Sequence, residues 1–414
     1  MQKHSATRIL IALLCYLCTV SSLRAQVADT CLEAGQWARP TADGANPSAI
    51  GHVLATTEEA RIVLLGEAHD DADHHLWQLQ ALSMLLGQHG DLVIGMEMFP
   101  RRVQPVLDRW IDGELSEKQM LEQSDWDRVW RFDPDLYLPI LRFARLNKLR
   151  LVALNVERSL IAETGKGGWN AVATEQREGI TDPAPALDDY RSLLRSSFFM
   201  HSGHGQTASD SDSESTASSD SAFEFFVQAQ LVWDRAFAQG LVEASAAHPA
   251  SLVVGIIGSG HLQYGHGVPH QLQSMGIRNS VVWLPVGVAT NCAEVAEVAD
   301  AVFAVAASKR RARPRLGVYL QDTEHGVAVG DIVPDSVAAA AGLAAGDRIV
   351  SAAGVHITSS SEVIAIVRNQ SPGTWLPLTV ARDGKTIEVV AKFPVTGKDG
   401  SSLAEDSAGT SADD

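Results

Sequence analysis

Arg61-Ile62-Val63-Leu64-Leu65-Gly66-Glu67-Ala68-His69-Asp70 is the stretch on which the reading of this chain turns. Four branched or long apolar residues in a row have the length of a buried parallel strand. Gly66 then lets the backbone turn, and a carboxylate and an imidazole follow at once. Such a strand delivers chemistry at its carboxyl end. A second apolar run, Leu252 to Ile257, closes with Gly258-Ser259-Gly260-His261, so both runs end in Gly-x-x-His. With 33 glycines and 14 histidines in 414 residues, chance gives about one such spacing, so its placement after two separate strands carries the weight.

Two further runs lie between them. Leu92 to Met96 leads to Glu97, and Leu149 to Leu154 leads to Asn155, with Glu157 two residues on. If the four strands are parallel neighbours, their carboxyl ends share one edge of the sheet, where open α/β folds bind ligands. His69, His261, Glu67, Glu97 and Asn155 would meet there. The expected fold is α/β, a mostly parallel sheet flanked by helices.

The amino terminus reads as a signal peptide over residues 1–25: Lys3 and Arg8 precede the apolar stretch Ile9 to Val20, which is short for a membrane span. An exported protein, periplasmic or secreted, with no transmembrane anchor in the mature chain is expected. Removing that segment takes Cys15 and Cys18 with it. Cys31 and Cys292 remain, and in an oxidising compartment they can close a disulfide; two free thiols are the alternative. A formal net charge of -17 disfavours nucleic acid as a partner.

Residues 26–49 form an N-terminal segment before the main domain, 50–306. Asp71 to Gln88 has a helical pattern with Leu76, Leu79, Leu82, Leu85 and Leu86 on one face, and His74 and His75 on its first turns. Pro100 to Leu146 is mostly helical, with Trp110, Trp126 and Trp130 as packing residues. Arg101, just past Glu97, is suited to an anionic ligand. Residues 201–222 turn abruptly polar and read as a flexible insertion, followed by a helix from Ala222 to Ala246. Beyond His261 come Tyr264 and His266. A phenolate suits ferric iron and is a known axial ligand of haem, although a buried, hydrogen-bonded tyrosine is the plainer reading of the residue taken alone.

Residues 307–315 form a basic linker. From 316 to 395 short strands return, with Asp383-Gly384 as a hairpin turn, and residues 396–414 read as a disordered acidic tail. Leu316-Gly317-Val318, Val333-Pro334-Asp335-Ser336, Ala341-Gly342-Leu343-Ala344-Ala345-Gly346-Asp347-Arg348-Ile349 and Arg382-Asp383-Gly384 make this segment resemble a PDZ domain, a small α+β module, of the bacterial high-temperature-requirement proteases. The resemblance implies capture of a peptide or protein carboxyl terminus by strand addition. Leu316, Gly317, Val318, Tyr319 and Leu320 would supply the loop and edge, and Val363 and Val367 would face the groove.

Residues 50–306 are similar to the ChaN family of haem-binding proteins, in the superfamily that includes Tiki, TraB and erythromycin esterase-like proteins. The similarity rests on Leu65-Gly66-Glu67-Ala68-His69, Gly95-Met96-Glu97-Met98-Phe99, Leu154-Asn155, Gln230-Leu231-Val232-Trp233-Asp234 and Gly258-Ser259-Gly260-His261-Leu262-Gln263-Tyr264-Gly265-His266-Gly267-Val268-Pro269. It implies haem as cofactor, iron uptake as role and Tyr264 as ligand, with His266, His69, His261 and Arg101 as further contacts, and it leaves a homodimer open. A lipid-anchoring motif of the ChaN lipoproteins is missing, and the PDZ module is added. The Tiki-like relatives imply an alternative, a metal-dependent hydrolase. There His69, His261 and Glu97 would hold a divalent ion and Glu67 would act as general base.

Overall fold

The computed structural model describes residues 31–201, 213–306 and 314–395, in two compact units that divide after Ser308. The signal segment, part of the insertion, most of the basic linker and the tail lie outside the described residues.

The first unit is built on an eight-stranded sheet. In chain order its strands are β1 (Trp37–Thr41), β2 (Gly44–Ser48), β3 (Ile62–Glu67), β4 (Leu92–Pro100), β5 (Arg150–Asn155), β6 (Leu252–Gly258), β7 (Ser280–Gly287) and β8 (Ala301–Val305). Their spatial order is β2-β1-β8-β7-β3-β6-β4-β5. The six strands from β8 to β5 pair in parallel, and the β1–β2 hairpin closes one edge antiparallel. Every residue of β3, β4 and β6 is buried, as continuous apolar runs in a parallel sheet require. The four strands read from sequence are therefore adjacent, and their carboxyl ends form one edge. The hairpin brings residues 37–48 into the main sheet. Pro47 sits in the edge strand β2, and Pro40 lies in β1 beyond the two residues, Trp37 and Ala38, that pair with β8, so a missing N–H is tolerated at both.

Helices cover both faces. Helix Ala72–His89 starts at Asp71, whose side chain accepts from the N–H groups of Asp73 and His74, and ends at Gly90 in the left-handed conformation. Its buried face is His75, Trp77, Gln78, Ala81, Leu82 and Leu85, whereas Leu76 is 53% exposed. The expected leucine stripe is thus rotated, because Trp77 and the polar pair His75 and Gln78 take the sheet-facing positions. On the other face, helix Ser213–Ala247 packs Phe237, Ala238, Leu241 and Ala244 against the sheet. It begins nine residues before Ala222, so the second half of the expected insertion is helical. Cys31 and Cys292 are joined by a disulfide with their Cα atoms 4.7 Å apart, across 261 residues of sequence.

The second unit has strands β9 (Val318–Thr323), β10 (Gly326–Ile332), β11 (Arg348–Ala352), β12 (Val355–His356), β13 (Trp375–Arg382) and β14 (Lys385–Lys392), in the order β14-β13-β11-β10-β9 with β12 beside β11. Helices Val337–Ala341 and Ser360–Arg368 complete this small β-rich domain. Strand β9 is an edge: among the described residues it pairs only with β10. Val363 and Val367, expected to face a groove, are 1% and 6% exposed and belong to the domain core with Val327, Ile349 and Leu378. Ser360 donates its N–H and hydroxyl to Asp322, pinning the helix start to the end of β9.

Candidate functional site

The carboxyl edge of β3, β6, β4 and β5 opens into a cavity of about 430 Å³ lined by His69, Glu97, Asn155, His261 and the rings of Trp130, Phe132 and Trp233. Each histidine is oriented by a buried carboxylate. His69 donates Nδ1–H to Glu67 at 2.8 Å, and His261 donates Nδ1–H to Asp234 at 2.7 Å. Fixing Nδ1 as the donor leaves Nε2 as the other ring nitrogen, and His69 Nε2 lies 4.0 Å from Glu97. Rings of Trp130 and Phe132 stand 4.7 and 5.1 Å from that of His69. Phe237 stands 5.4 Å from His261.

Glu67 is held from all sides. Tyr137 donates to it at 2.8 Å and Gln78 at 3.1 Å, and His75 lies 3.3 Å away. Burial alone would raise its pKa, but the bonds from His69 and His75 outweigh burial and hold the carboxyl at about 2. His69 feels the converse: burial pulls it down, and Glu67 and Glu97 together hold it above its ordinary value. For His261 burial is likewise overcome, here by Asp234 and Glu97. Tyr190 completes the second dyad by donating to Asp234 at 2.8 Å, and burial beside that carboxylate drives the phenol's pKa well up.

This arrangement reassigns Glu67. Its carboxylate has four side-chain neighbours and is absent from the cavity lining, so it positions His69 and is not placed to act as a base on a ligand. Glu97 does line the cavity, but one of its oxygens accepts the Gly258 N–H at 2.6 Å. Among the described residues no group of three or more His, Cys, Asp and Glu side chains is arranged to hold a metal ion. Gly258 is required for space: a Cβ there would stand 2.8 Å from His69 Cε1.

Three other sequence candidates lie elsewhere. Arg101 donates to the Ala236 carbonyl at 2.9 Å and lies 3.8 Å from Glu243, on helix Ser213–Ala247 and away from the cavity lining. Tyr264 is 41% exposed, with its backbone in the left-handed region at φ 57°. Its N–H donates to Val298 at 2.9 Å, and its ring stacks on His266 at 5.7 Å. It lines a separate concavity of about 350 Å³ with Leu284, Pro285, Val286, Glu294 and Val298. The left-handed turn is what carries Tyr264 away from His261, only three residues earlier. Asp234, Tyr190, Tyr137, His75 and Gln78 were not read as site residues. Of these, Asp234 lies in the Gln230–Asp234 motif, which is the signal the sequence carries for it.

Comparison with known proteins follows these two parts of the chain. Residues 53–272 match the family model described as haem-binding uptake, Tiki superfamily, ChaN, and residues 314–392 match the PDZ domain model. Among solved structures, the ChaN protein of Campylobacter jejuni, described with cofacial haem binding, is 17% identical with a TM-score of 0.50, over 64% of this chain and 96% of its own. A serine endoprotease from Yersinia pestis is 30% identical over 20% of this chain and 29% of its own, with a TM-score of 0.19. The PDZ domain of HtrA3 with a phage-derived ligand is 24% identical over 19% of this chain and 84% of its own, with a TM-score of 0.18. No curated protein matches. The first family model covers just over half of the 414 residues, and on that match the chain belongs to the ChaN haem-binding-uptake family of the Tiki superfamily, with a PDZ domain following.

Proposed function

We propose that the first domain binds haem through Tyr264, in haem or iron uptake, and that the PDZ domain captures an extended peptide or protein carboxyl terminus. The observation that carries the haem reading is an exposed phenol, fixed in a left-handed turn, within a segment matched to the ChaN family. The residues around it fit the group. A phenolate is a hard ligand for ferric iron, and Leu284, Pro285, Val286 and Val298 give an apolar wall beside it. His266 stacks on the ligand ring and would steady it; His69, His261 and Arg101 have no part at this position. When bound, haem supplies the iron that is carried. The Campylobacter relative is described as binding haem cofacially, and a homodimer of this chain is part of the same proposal.

The unpaired edge of β9 supports peptide capture, since strand addition needs free backbone donors and acceptors. An oxidising, extracytoplasmic location is supported by the Cys31–Cys292 bond and by the signal-like first 25 residues. Among the described residues no helix is long and apolar enough to cross a membrane. The alternative, a metal-dependent hydrolase, draws support only from the paired imidazoles at the cavity. Haemin titration of wild type and Tyr264→Phe, followed by absorption spectroscopy, tests the principal reading.

A further inference from the structure

The cavity between His69 and His261 is lined by an arginine, Arg158, that has no ion-pair partner among the described residues. Arg158 is exposed. Its Nε and Nη2 both donate to the Val129 carbonyl, at 3.1 and 2.8 Å, which fixes the guanidinium against the rim. Among the described residues no carboxylate lies within ion-pair distance of it, and the charge of Arg131 acts on it from nearby. The neighbouring charges are matched: Arg128 pairs with Asp125, and Arg102 with Asp125 and Glu157. Both carboxylates that line the cavity are engaged, Glu157 with Arg102 at 2.5 Å and Glu97 with the Gly258 N–H and, at 4.0 Å, with His69. Trp130, Phe132 and Trp233 line the same cavity, with Trp130 and Phe132 against the ring of His69 and Trp233 against that of His261.

We propose that this cleft is a second ligand site, taking a small aromatic oxyanion, a carboxylate or phosphate monoester, held at its anionic end by Arg158. The ring would lie among Trp130, Phe132 and Trp233, with its other end toward His69 and His261. A volume of about 430 Å³ is in the range that encloses small organic ligands. With Nε and one Nη2 proton donated to Val129, the Nη1 protons and the second Nη2 proton still form a two-pronged end that matches either oxyanion. The site is separate from Tyr264 and does not rest on the haem reading.

The test is a titration of the protein with phenyl phosphate, with benzoate and with neutral benzyl alcohol at constant ionic strength, read by tryptophan fluorescence. The expected result is saturable quenching by at least one anion, which identifies the preferred oxyanion, and none by benzyl alcohol. Arg158→Met weakens that binding ten-fold or more, Arg131→Met weakens it by a smaller factor, and Tyr264→Phe leaves it unchanged. Circular dichroism confirms that the variants are folded. Absence of saturation with both anions, equal binding of benzyl alcohol, or unchanged affinity in folded Arg158→Met, whatever Arg131→Met does, overturns the proposal.

Discussion

Asp234 accepts the Nδ1–H of His261 at 2.7 Å from within the long helix Ser213–Ala247, while the strand before His261 comes from the centre of the sheet. The helix therefore fixes which nitrogen of the imidazole is turned away from the carboxylate. It does so with no solvent exposure of the Asp234 side chain.

Asp234→Asn removes the charge that raises His261. The His261 ring should then titrate at lower pH than in wild type, read by histidine proton resonances. Breaking a buried pair of this kind costs about 3–5 kcal/mol. The folded pKa of His261 is raised, so the pair's contribution is complete below about 6.5 and is lost as pH rises through the folded value. The difference in Tm between wild type and variant should accordingly be larger at pH 6 than at pH 9.

Glu67 has the opposite sign. Its folded pKa of about 2 lies below the ordinary 4.5, so its contribution is present above the ordinary value and is lost as pH falls toward 2. At 1.36 kcal/mol per unit the contribution is about 3 kcal/mol. Denaturant melts of Glu67→Gln should be less stable than wild type at pH 7, with a flatter loss of stability between pH 5 and pH 2.

Reduction of Cys31–Cys292, or Cys292→Ser, frees a loop of 261 residues in the unfolded chain. The chain-entropy estimate for so long a loop is on the order of 5 kcal/mol. Calorimetry should show the first domain melting lower in dithiothreitol, with the PDZ domain unchanged.

In the PDZ domain, Val363→Ala should lower thermal stability by about 1–3 kcal/mol, because Val363 is core. A groove role alone would weaken peptide binding and leave Tm intact. Gly317→Val combines a left-handed φ of 82° with a Cβ that would stand 2.3 Å from Ser336 Cβ. It should abolish peptide capture in a pull-down with carboxyl-terminal peptides.

The strands at the centre of the sheet were legible because each is a continuous apolar run ending in glycine or a polar residue. Their adjacency needed only the rule that ligand-bearing ends share an edge. The β1–β2 hairpin was not legible, since Pro40, Asn46 and Pro47 break any strand pattern. The buried face of Ala72–His89 departs from its leucine stripe because polar His75 and Gln78 turn inward to hold Glu67. Tyr264 and His261 are close in sequence, yet one turn at φ 57° puts them at different surfaces. Tyr190 holds Asp234, and Asp234 holds His261, from separate helices, a convergence that spacing does not encode. Val363 and Val367 follow the apolar period of their helix faithfully; period alone does not separate a groove from a core.

Haem ligation by Tyr264 is open to a haemin titration followed at the Soret band. Wild type should give a saturable, shifted band. Tyr264→Phe should weaken it at least ten-fold with Tm unchanged, because the phenol is exposed and accepts or donates no hydrogen bond among the described residues. No saturable band in wild type, or the same band in Tyr264→Phe, would contradict the account.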